Sequence, residues 1–167
     1  MNVAPLDRTY GSIQGQANTF GFSGDSESLR ASLEKALNHF LAANVLGERL
    51  RAAFENLDEI IESCSHENWD SYGAKIISDS AYREARRFIQ LLPSTIPQPN
   101  ISPEPSGGIT LEWYKDLNHV FYVILSGTGV VTYAGLYGVD NQDSGTVYFG
   151  DSLPTSIIDK IRSIFGI

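Results

Sequence analysis

The chain has 167 residues, 42% of them hydrophobic and 19% charged, and its formal net charge is −8 at pH 7. This composition is typical of one globular domain, and no stretch approaches the roughly 18 consecutive apolar residues of a membrane span. The negative charge disfavours binding to nucleic acid and to anionic lipid surfaces. An acidic surface suits a basic protein partner, although it more often serves solubility alone.

Compartment is indicated by two features of the sequence. The single cysteine, Cys64, leaves no internal disulfide, which fits a reducing cytosol. The first residues contain no basic region followed by an apolar run, so we expect no signal peptide. The sequence therefore predicts a soluble, cytoplasmic protein.

The N-terminal third divides into two predicted parts. Residues 1–24 are rich in Gly, Ser, Asn and Gln without a sustained period, which predicts a flexible arm. Residues 25–63 carry two helical stripes that meet near Ala43, and they predict either an antiparallel helix pair or one bent helix, capped by Asp25 or Ser26. Because each stripe needs a covering surface, this segment is a candidate element for homodimer formation. The stripes comprise Leu29, Leu33, Ala36, Leu37, Phe40 and Leu41, then Leu46, Leu50, Ala53, Phe54, Leu57 and Ile61.

Residues 64–167 predict an α+β domain. A third helix runs from Ser78 to Leu92, and the segment after it holds five of the chain's seven prolines, which predicts a stiff, extended connector. After Gly108 the hydrophobic period becomes two, in four segments: ITLEWY, HVFYVILS, VVTYAGLYG and TVYFG. The fold class is therefore α+β, with N-terminal helices, a third helix, a four-stranded mainly antiparallel sheet and a C-terminal helix.

The loops KDLN and SGTG, read as hairpin turns, predict a strand register. In that register Trp113, Val120 and Gly135 lie in one row, so that the indole covers the strand glycine. The second strand is apolar on both sides, which predicts that helices or a partner cover both faces of the sheet.

The segment NWDSYGA, the later PSGGITLEW and YAGLYG together resemble a family of small bacterial and prophage-borne proteins. These proteins share a W-D-G-Y-G-A-like motif and a G-G-I-x-L-E-W strand. The resemblance covers Asn68 to Gly138, and Ser71 stands where the motif has glycine. It implies a shared fold and no established activity.

The segment around Asp70 has two interpretations. As a folding joint, Asp70 accepts backbone N–H groups in an Asx turn, while Trp69 and Tyr72 fill an apolar seam and Gly73 takes a positive φ. As a catalytic site, Asp70 is a general base in a cleft beside Trp69. We favour the joint, because no acid, base or metal ligand stands at a diagnostic spacing.

Glu112 is the more unusual carboxylate, since the predicted register puts it mid-strand on an apolar face, opposite Phe121. It either reaches solvent at an edge or meets Arg86 or Arg87 of the third helix. The alternative function is a hydrolase-like enzyme whose cleft is centred on carboxylates. Its candidate catalytic residues are Glu112, His119, Asp70 and Tyr114.

The sequence predicts neither a metal site nor a cofactor. Cys64 and His66 are close in sequence, but paired ligand spacings typical of zinc sites are missing, and phosphate-binding or nucleophile-elbow motifs do not occur.

We therefore expect a non-enzymatic protein-binding module. It is compatible with a phage- or genomic-island-borne inhibitor, or with an immunity or antitoxin-like protein, roles suggested by the family resemblance. Tyrosine is favoured at interfaces, and the sheet is rich in it. The candidate binding residues are Trp69, Tyr72, Tyr133 and Tyr137, and further sheet tyrosines are Tyr114, Tyr122 and Tyr148.

Overall fold

A computed structural model describes the chain from residue 24 onward, with side chains described from residue 27. The predicted arm and the predicted caps at Asp25 and Ser26 lie outside the described residues. The chain divides into two units, Met1–Phe40 and Leu41–Ile167. The elements are three helices, α1 Gly24–Ser63, α2 Asp79–Leu91 and α3 Thr155–Phe165, and five strands, β1 Asn100–Glu104, β2 Gly108–Asp116, β3 His119–Leu125, β4 Val130–Tyr137 and β5 Gln142–Tyr148.

The N-terminal stripes belong to one continuous helix, so of the two predicted alternatives the antiparallel pair is wrong. Residues 36–46 include neither glycine nor proline, so no helix-breaking residue stands at the predicted junction. Toward its end α1 buries Leu57, Ile60 and Cys64 in the core of the second unit. Arg49 fastens the segment after α2 to this helix by donating to the carbonyl oxygens of Ser94 at 3.1 Å and Ile96 at 2.9 Å.

The third predicted helix is confirmed as α2. Its N-cap is Ser78, whose hydroxyl accepts a hydrogen bond from the N–H of Ala81 at 3.1 Å, and it ends at Leu91, with Leu92 as the C-cap before Pro93. The helix is amphipathic, and its apolar face is completely covered. The buried residues are Ala81, Ala85, Phe88 and Ile89.

The sheet has five strands rather than four, in the order β1-β2-β3-β4-β5, and all neighbours are antiparallel. The additional strand is β1, which forms within the proline-rich segment predicted to be a connector. It pairs with β2 from Asn100, opposite Glu112, to Glu104, opposite Gly108. Pro103 is tolerated because β1 is an edge strand.

The observed register differs from the predicted one by a single residue. Trp113 lies opposite Phe121, and Phe121 lies opposite Gly135, so the row is Trp113, Phe121 and Gly135. The first hairpin closes at Asp116 and His119 after an irregularity beyond Tyr114, which the assumption of a plain four-residue loop missed. A one-residue shift exchanges the two faces, so the side chains of β3 predicted to lie away from Trp113 lie beside it.

The core lies on the Trp113 side of the sheet. Residues with odd numbers on β2 and β3 point into it, among them Leu111, Trp113, Phe121 and Val123. Both α2 and α3 pack on these strands, and the buried residues of α1 from Ala53 onward join the same cluster. Within Leu41–Ile167 no helix packs on the other face of the sheet. The expectation that helices or a partner cover both faces is therefore wrong for the helices of this unit, and cover by a partner stays a prediction.

Candidate functional site

The segment around Asp70 is held by its own backbone. One carboxylate oxygen of Asp70 accepts the N–H groups of Tyr72 at 2.8 Å and Ala74 at 3.0 Å, and these bonds, that of Tyr72 most of all, lower the pKa of Asp70. The Trp69 indole donates to the carbonyl oxygen of Lys75 at 2.9 Å. The N–H of Lys75 in turn bonds the carbonyl oxygen of Pro105 in the β1–β2 turn. These contacts make the segment a joint between α1 and the sheet.

The two aromatic residues of this joint have different environments. Trp69 is half-buried and packs against the core, as an apolar plug would. Tyr72 is 94% exposed, so the prediction that it fills an apolar seam is wrong. Only the backbone of Tyr72 takes part in the joint, by donating its N–H to the Asp70 carboxylate. Ser71 before it has a positive φ of 65°.

Two of the four candidate catalytic residues, Asp70 and His119, lie near opposite ends of β2, whereas Glu112 and Tyr114 lie two residues apart on one face of that strand. The joint around Asp70 lies beside the β1–β2 turn, at the start of β2. The N–H of Lys75 bonds the carbonyl oxygen of Pro105 there, and the N–H of Ser78 bonds that of Gly107. His119 lies at the opposite end, with its Nδ1 2.8 Å from an oxygen of Asp116, a contact that lowers the pKa of Asp116. β2 has nine residues, so its first and last residues lie about 27 Å apart, eight steps of ~3.4 Å each.

Glu112 lies on the face without helices, opposite Tyr122 and not Phe121. The Glu112 carboxylate raises the pKa of the Tyr122 hydroxyl opposite it. The predicted arginine partners are engaged elsewhere, because Arg86 lies 4.0 Å from Asp58 and Arg87 lies 2.7 Å from Asp151. Glu112 therefore belongs to a polar pair on the sheet surface.

The helix-free side of the sheet, which we call the open face, combines tyrosine and aliphatic side chains. Tyr148 is 75% exposed and Tyr114 is 51% exposed, while Val130, Tyr122 and Leu136 are each close to 40% exposed. A shallow groove of about 560 Å³ crosses it over β3, β4 and β5. The groove is lined by Val120, Tyr122, Ala134, Leu136, Gln142 and Ser144.

Tyr133 and Tyr137, the other two candidate binding residues, lie on the core side of β4 rather than on the open face. Both rings face the Lys160 ammonium of α3, at 5.0 Å for Tyr133 and 5.9 Å for Tyr137. Lys160 also donates a hydrogen bond to Asp143, which raises the pKa of Lys160 and lowers that of Asp143. Burial raises the pKa of Tyr137 to about 12. These groups tie α3 to β4 and β5.

Sequence reasoning missed both Lys160 and Asp143. Lys160 is a polar residue between buried isoleucines of α3, so its position on that helix indicates only that it flanks the apolar face. Its contacts depend on where α3 lies over the sheet, which local periodicity does not determine. The predicted fourth strand segment, TVYFG, begins at Thr146 and leaves Asp143 out, because the first half of β5 is polar.

Comparison with known proteins gave no match to a family model, to a curated protein or to a solved structure. The resemblance carried by Asn68–Gly138 accordingly stays a prediction. In residues 24–167 no helix is long and apolar enough to cross a bilayer. Over that same range the acidic, histidine and cysteine side chains form no group of three arranged to hold a metal ion.

Proposed function

We propose that the chain is a non-enzymatic protein-binding module and that the open face of the sheet is its contact surface. The observation that carries this proposal is the exposure of Tyr148, Tyr114, Tyr122, Val130 and Leu136 on the side away from the helices. Tyrosine and aliphatic side chains on one surface, with few charges among them, are typical of the centres of protein interfaces.

The separation of the candidate catalytic groups favours this proposal over the enzyme. Asp70 and His119 belong to opposite ends of β2, and Glu112 lies opposite Tyr122 rather than opposite another acid or base. The proposed role is that of an inhibitor, or of an immunity or antitoxin-like protein, which acts by occupying a surface of its partner. The net charge of −8 supports a basic partner.

Affinity capture from the native cell tests the proposal. The wild type, the open-face variants Tyr148→Asp and Tyr114→Asp, and the control Leu117→Asp are used as baits. Leu117 is 82% exposed in the β2–β3 turn, so the control adds the same charge at an apolar site off the open face. We expect a protein identified by mass spectrometry to bind, as a purified component, the wild type and the control but neither open-face variant. Equal binding by all four chains would contradict the proposal.

We also propose that the N-terminal part of α1 joins two copies of the chain. In the first unit Leu29, Leu33, Leu37 and Phe40 are each between 56% and 63% exposed, at spacings that put them on one side of a helix. Residues 27–40 contain two acids, Glu27 and Glu34, and two bases, Arg30 and Lys35, so this stretch is neutral and copies do not repel each other there.

Analytical ultracentrifugation of two matched variants tests this self-association. Leu33→Glu places a charge in the apolar stripe, whereas Ala31→Glu places the same charge on the same helix outside it. We expect the wild type and Ala31→Glu to dimerise and Leu33→Glu to sediment as a monomer. A monomeric wild type at high micromolar concentration would refute the dimer.

A further inference from the structure

The two edges of the sheet differ in how they are protected against strand addition. β1 forms one edge and β5 the other. An antiparallel strand directs alternate backbone N–H and C=O groups to each side, so the groups that face outward can be identified from the register. The identity of these outward groups decides whether an edge can accept another strand.

On β5 the outward groups belong to the even-numbered residues. The N–H of Phe149 bonds the carbonyl oxygen of Gly129, and the N–H of Tyr137 bonds the carbonyl oxygen of Asn141, so odd-numbered residues of β4 and β5 bond each other. Gln142, Ser144, Thr146 and Tyr148 therefore direct both backbone groups away from the sheet. None of these four residues is a proline or a charged residue.

On β1 the outward groups include a proline. The N–H of Gly138 bonds the carbonyl oxygen of Asn118, so the even-numbered residues of β3 form their backbone hydrogen bonds with β4. The odd-numbered residues of β3 therefore form theirs with β2. It follows that the even-numbered residues of β2 form theirs with β1. The outward groups of β1 then belong to Ile101 and Pro103. Because proline has no N–H, this edge cannot complete a ladder of hydrogen bonds.

We infer that the outer edge of β5 accepts an extended segment of the partner protein as a sixth strand, an inference that rests on the proposed binding function. Strand addition would extend the open face, since alternate side chains of the added segment would continue the row of Tyr148, Thr146 and Ser144. The groove on the open face reaches this edge at Gln142 and Ser144.

Charge determines which kind of segment fits. At the start of β5 a second depression is lined by the carboxylates of Asp143 and Asp159 and by Lys160, and the exposed Asp140 precedes it. Asp143 is hydrogen-bonded to Lys160, and Asp159 lies 3.5 Å from Arg162. The additional carboxylate of Asp140 therefore leaves this end of β5 with a net negative charge. The segment that fits is therefore uncharged along the strand and carries lysine or arginine next to Gln142. A second copy fits less well, because each copy carries a net charge of −8.

A synthetic peptide tests the inference. Acetyl-TVTVTVKK-amide, paired antiparallel to β5, places its lysines beside the acidic end, and acetyl-TVTVTVEE-amide is the charge control. Binding is followed by amide NMR shifts of the ¹⁵N-labelled chain. We expect the lysine peptide to shift the amides of Ser144 and Thr146 and the glutamate peptide to bind about tenfold more weakly or not at all.

Two variants at one position distinguish backbone from side-chain recognition. Thr146→Pro removes an outward N–H but no hydrogen bond to β4, whereas Thr146→Ala keeps that N–H and removes the side chain. We expect about a tenfold loss of affinity in the proline variant and little change in the alanine variant, with both folded by circular dichroism.

Three results would overturn the inference: no shifts at millimolar peptide, equal binding by the proline variant, or self-association of the wild type that Thr146→Pro abolishes, which would assign the edge to a second copy. If the capture experiment meanwhile identifies a partner that needs the open face, the proposed function stands and only the strand addition fails.

Discussion

Glu84 on α2 accepts hydrogen bonds from the backbone N–H of Gly127 at 2.6 Å and from that of Gly129 at 2.9 Å. One carboxylate thus holds both glycine amides of the β3–β4 turn against the helix. Gly127 has a positive φ of 77°, and a Cβ there would collide with the hydroxyl oxygen of Ser80 and lie 2.5 Å from the backbone nitrogen of Ala81. The approach of the turn to α2 therefore requires this glycine.

We expect Glu84→Ala to lower the free energy of unfolding by about 2–3 kcal/mol, because it leaves two partly buried N–H groups without their charged acceptor. Urea denaturation followed by circular dichroism measures the change. The control is Glu59→Ala, an exposed glutamate of α1, for which we expect a change within about 0.5 kcal/mol. Equal stability of the two variants would mean that the turn is held by other contacts.

Gly135 allows two aromatic rings to lie against the middle of β4. A Cβ at this position would lie 2.6 Å from the hydroxyl oxygen of Tyr137 and 2.8 Å from a ring carbon of Phe121. We expect Gly135→Ala to destabilise the protein by about 1–3 kcal/mol, since the rings are packed and cannot move away freely.

For a glycine in α1 we expect the same substitution to change stability in the opposite direction. Gly47 lies in α1 with no atom near the position of an added Cβ, so Gly47→Ala should stabilise the helix by up to about 1 kcal/mol. Thermal unfolding of the two variants side by side measures both signs. If Gly135→Ala unfolded at or above the wild-type temperature, the packing around this glycine would be looser than the contacts indicate.

Ser71 has a φ of 65°, a region that residues with a side chain enter at a cost. We expect Ser71→Gly to raise the free energy of unfolding by about 0.5–1 kcal/mol, because relief of this strain exceeds the added freedom of the unfolded chain. Ser65→Gly, at an exposed position outside the helices and without positive φ, should lower it slightly instead. Differential scanning calorimetry compares the two, and a destabilised Ser71→Gly would show that the serine itself contributes to the turn.

Three aspartates give the protein a defined acid sensitivity. Hydrogen bonds lower the pKa values of Asp70, Asp116 and Asp143 below the ordinary value of 3.8. A group with a lowered pKa in the folded state stabilises the fold above its unfolded pKa, and this contribution is lost as the pH falls through its folded pKa. We therefore expect the free energy of unfolding to decline below about pH 4.

The contribution of Asp70 to this decline can be separated from the others. Asp70→Asn removes the charge and should make the loss of stability between pH 4 and pH 2 shallower. Asp140→Asn, at an exposed aspartate without a hydrogen bond in the described part of the chain, should leave it unchanged. Denaturant midpoints measured across this range give the slopes, and identical slopes for Asp70→Asn and the wild type would contradict the assignment.

The elements that could be predicted are those whose signals are local. Ser78 before an amphipathic run, and Pro93 after it, predicted α2 to within one residue at each end. Alternation predicted β2, β3 and β4, because each buries one face. The α+β class and the antiparallel sheet followed from these elements.

The predictions that failed depended on longer-range geometry. The register was wrong by one residue because it depends on how Asp116 and His119 close a turn, and no residue pattern marks that irregularity. β1 was missed because Pro103 within it argues against a strand, and only its place at the sheet edge makes this proline acceptable. The pairing of Glu112 with Tyr122 followed from the same one-residue difference.

The proline on the outer side of β1 has a consequence for how far the molecule can assemble. Fibril growth by strand addition requires two sheet edges on every subunit that can each accept another strand. Because Pro103 blocks the β1 edge, two copies that pair through their β5 edges leave only two β1 edges exposed, and neither accepts a further strand. Edge-to-edge association of copies of this chain therefore ends at two.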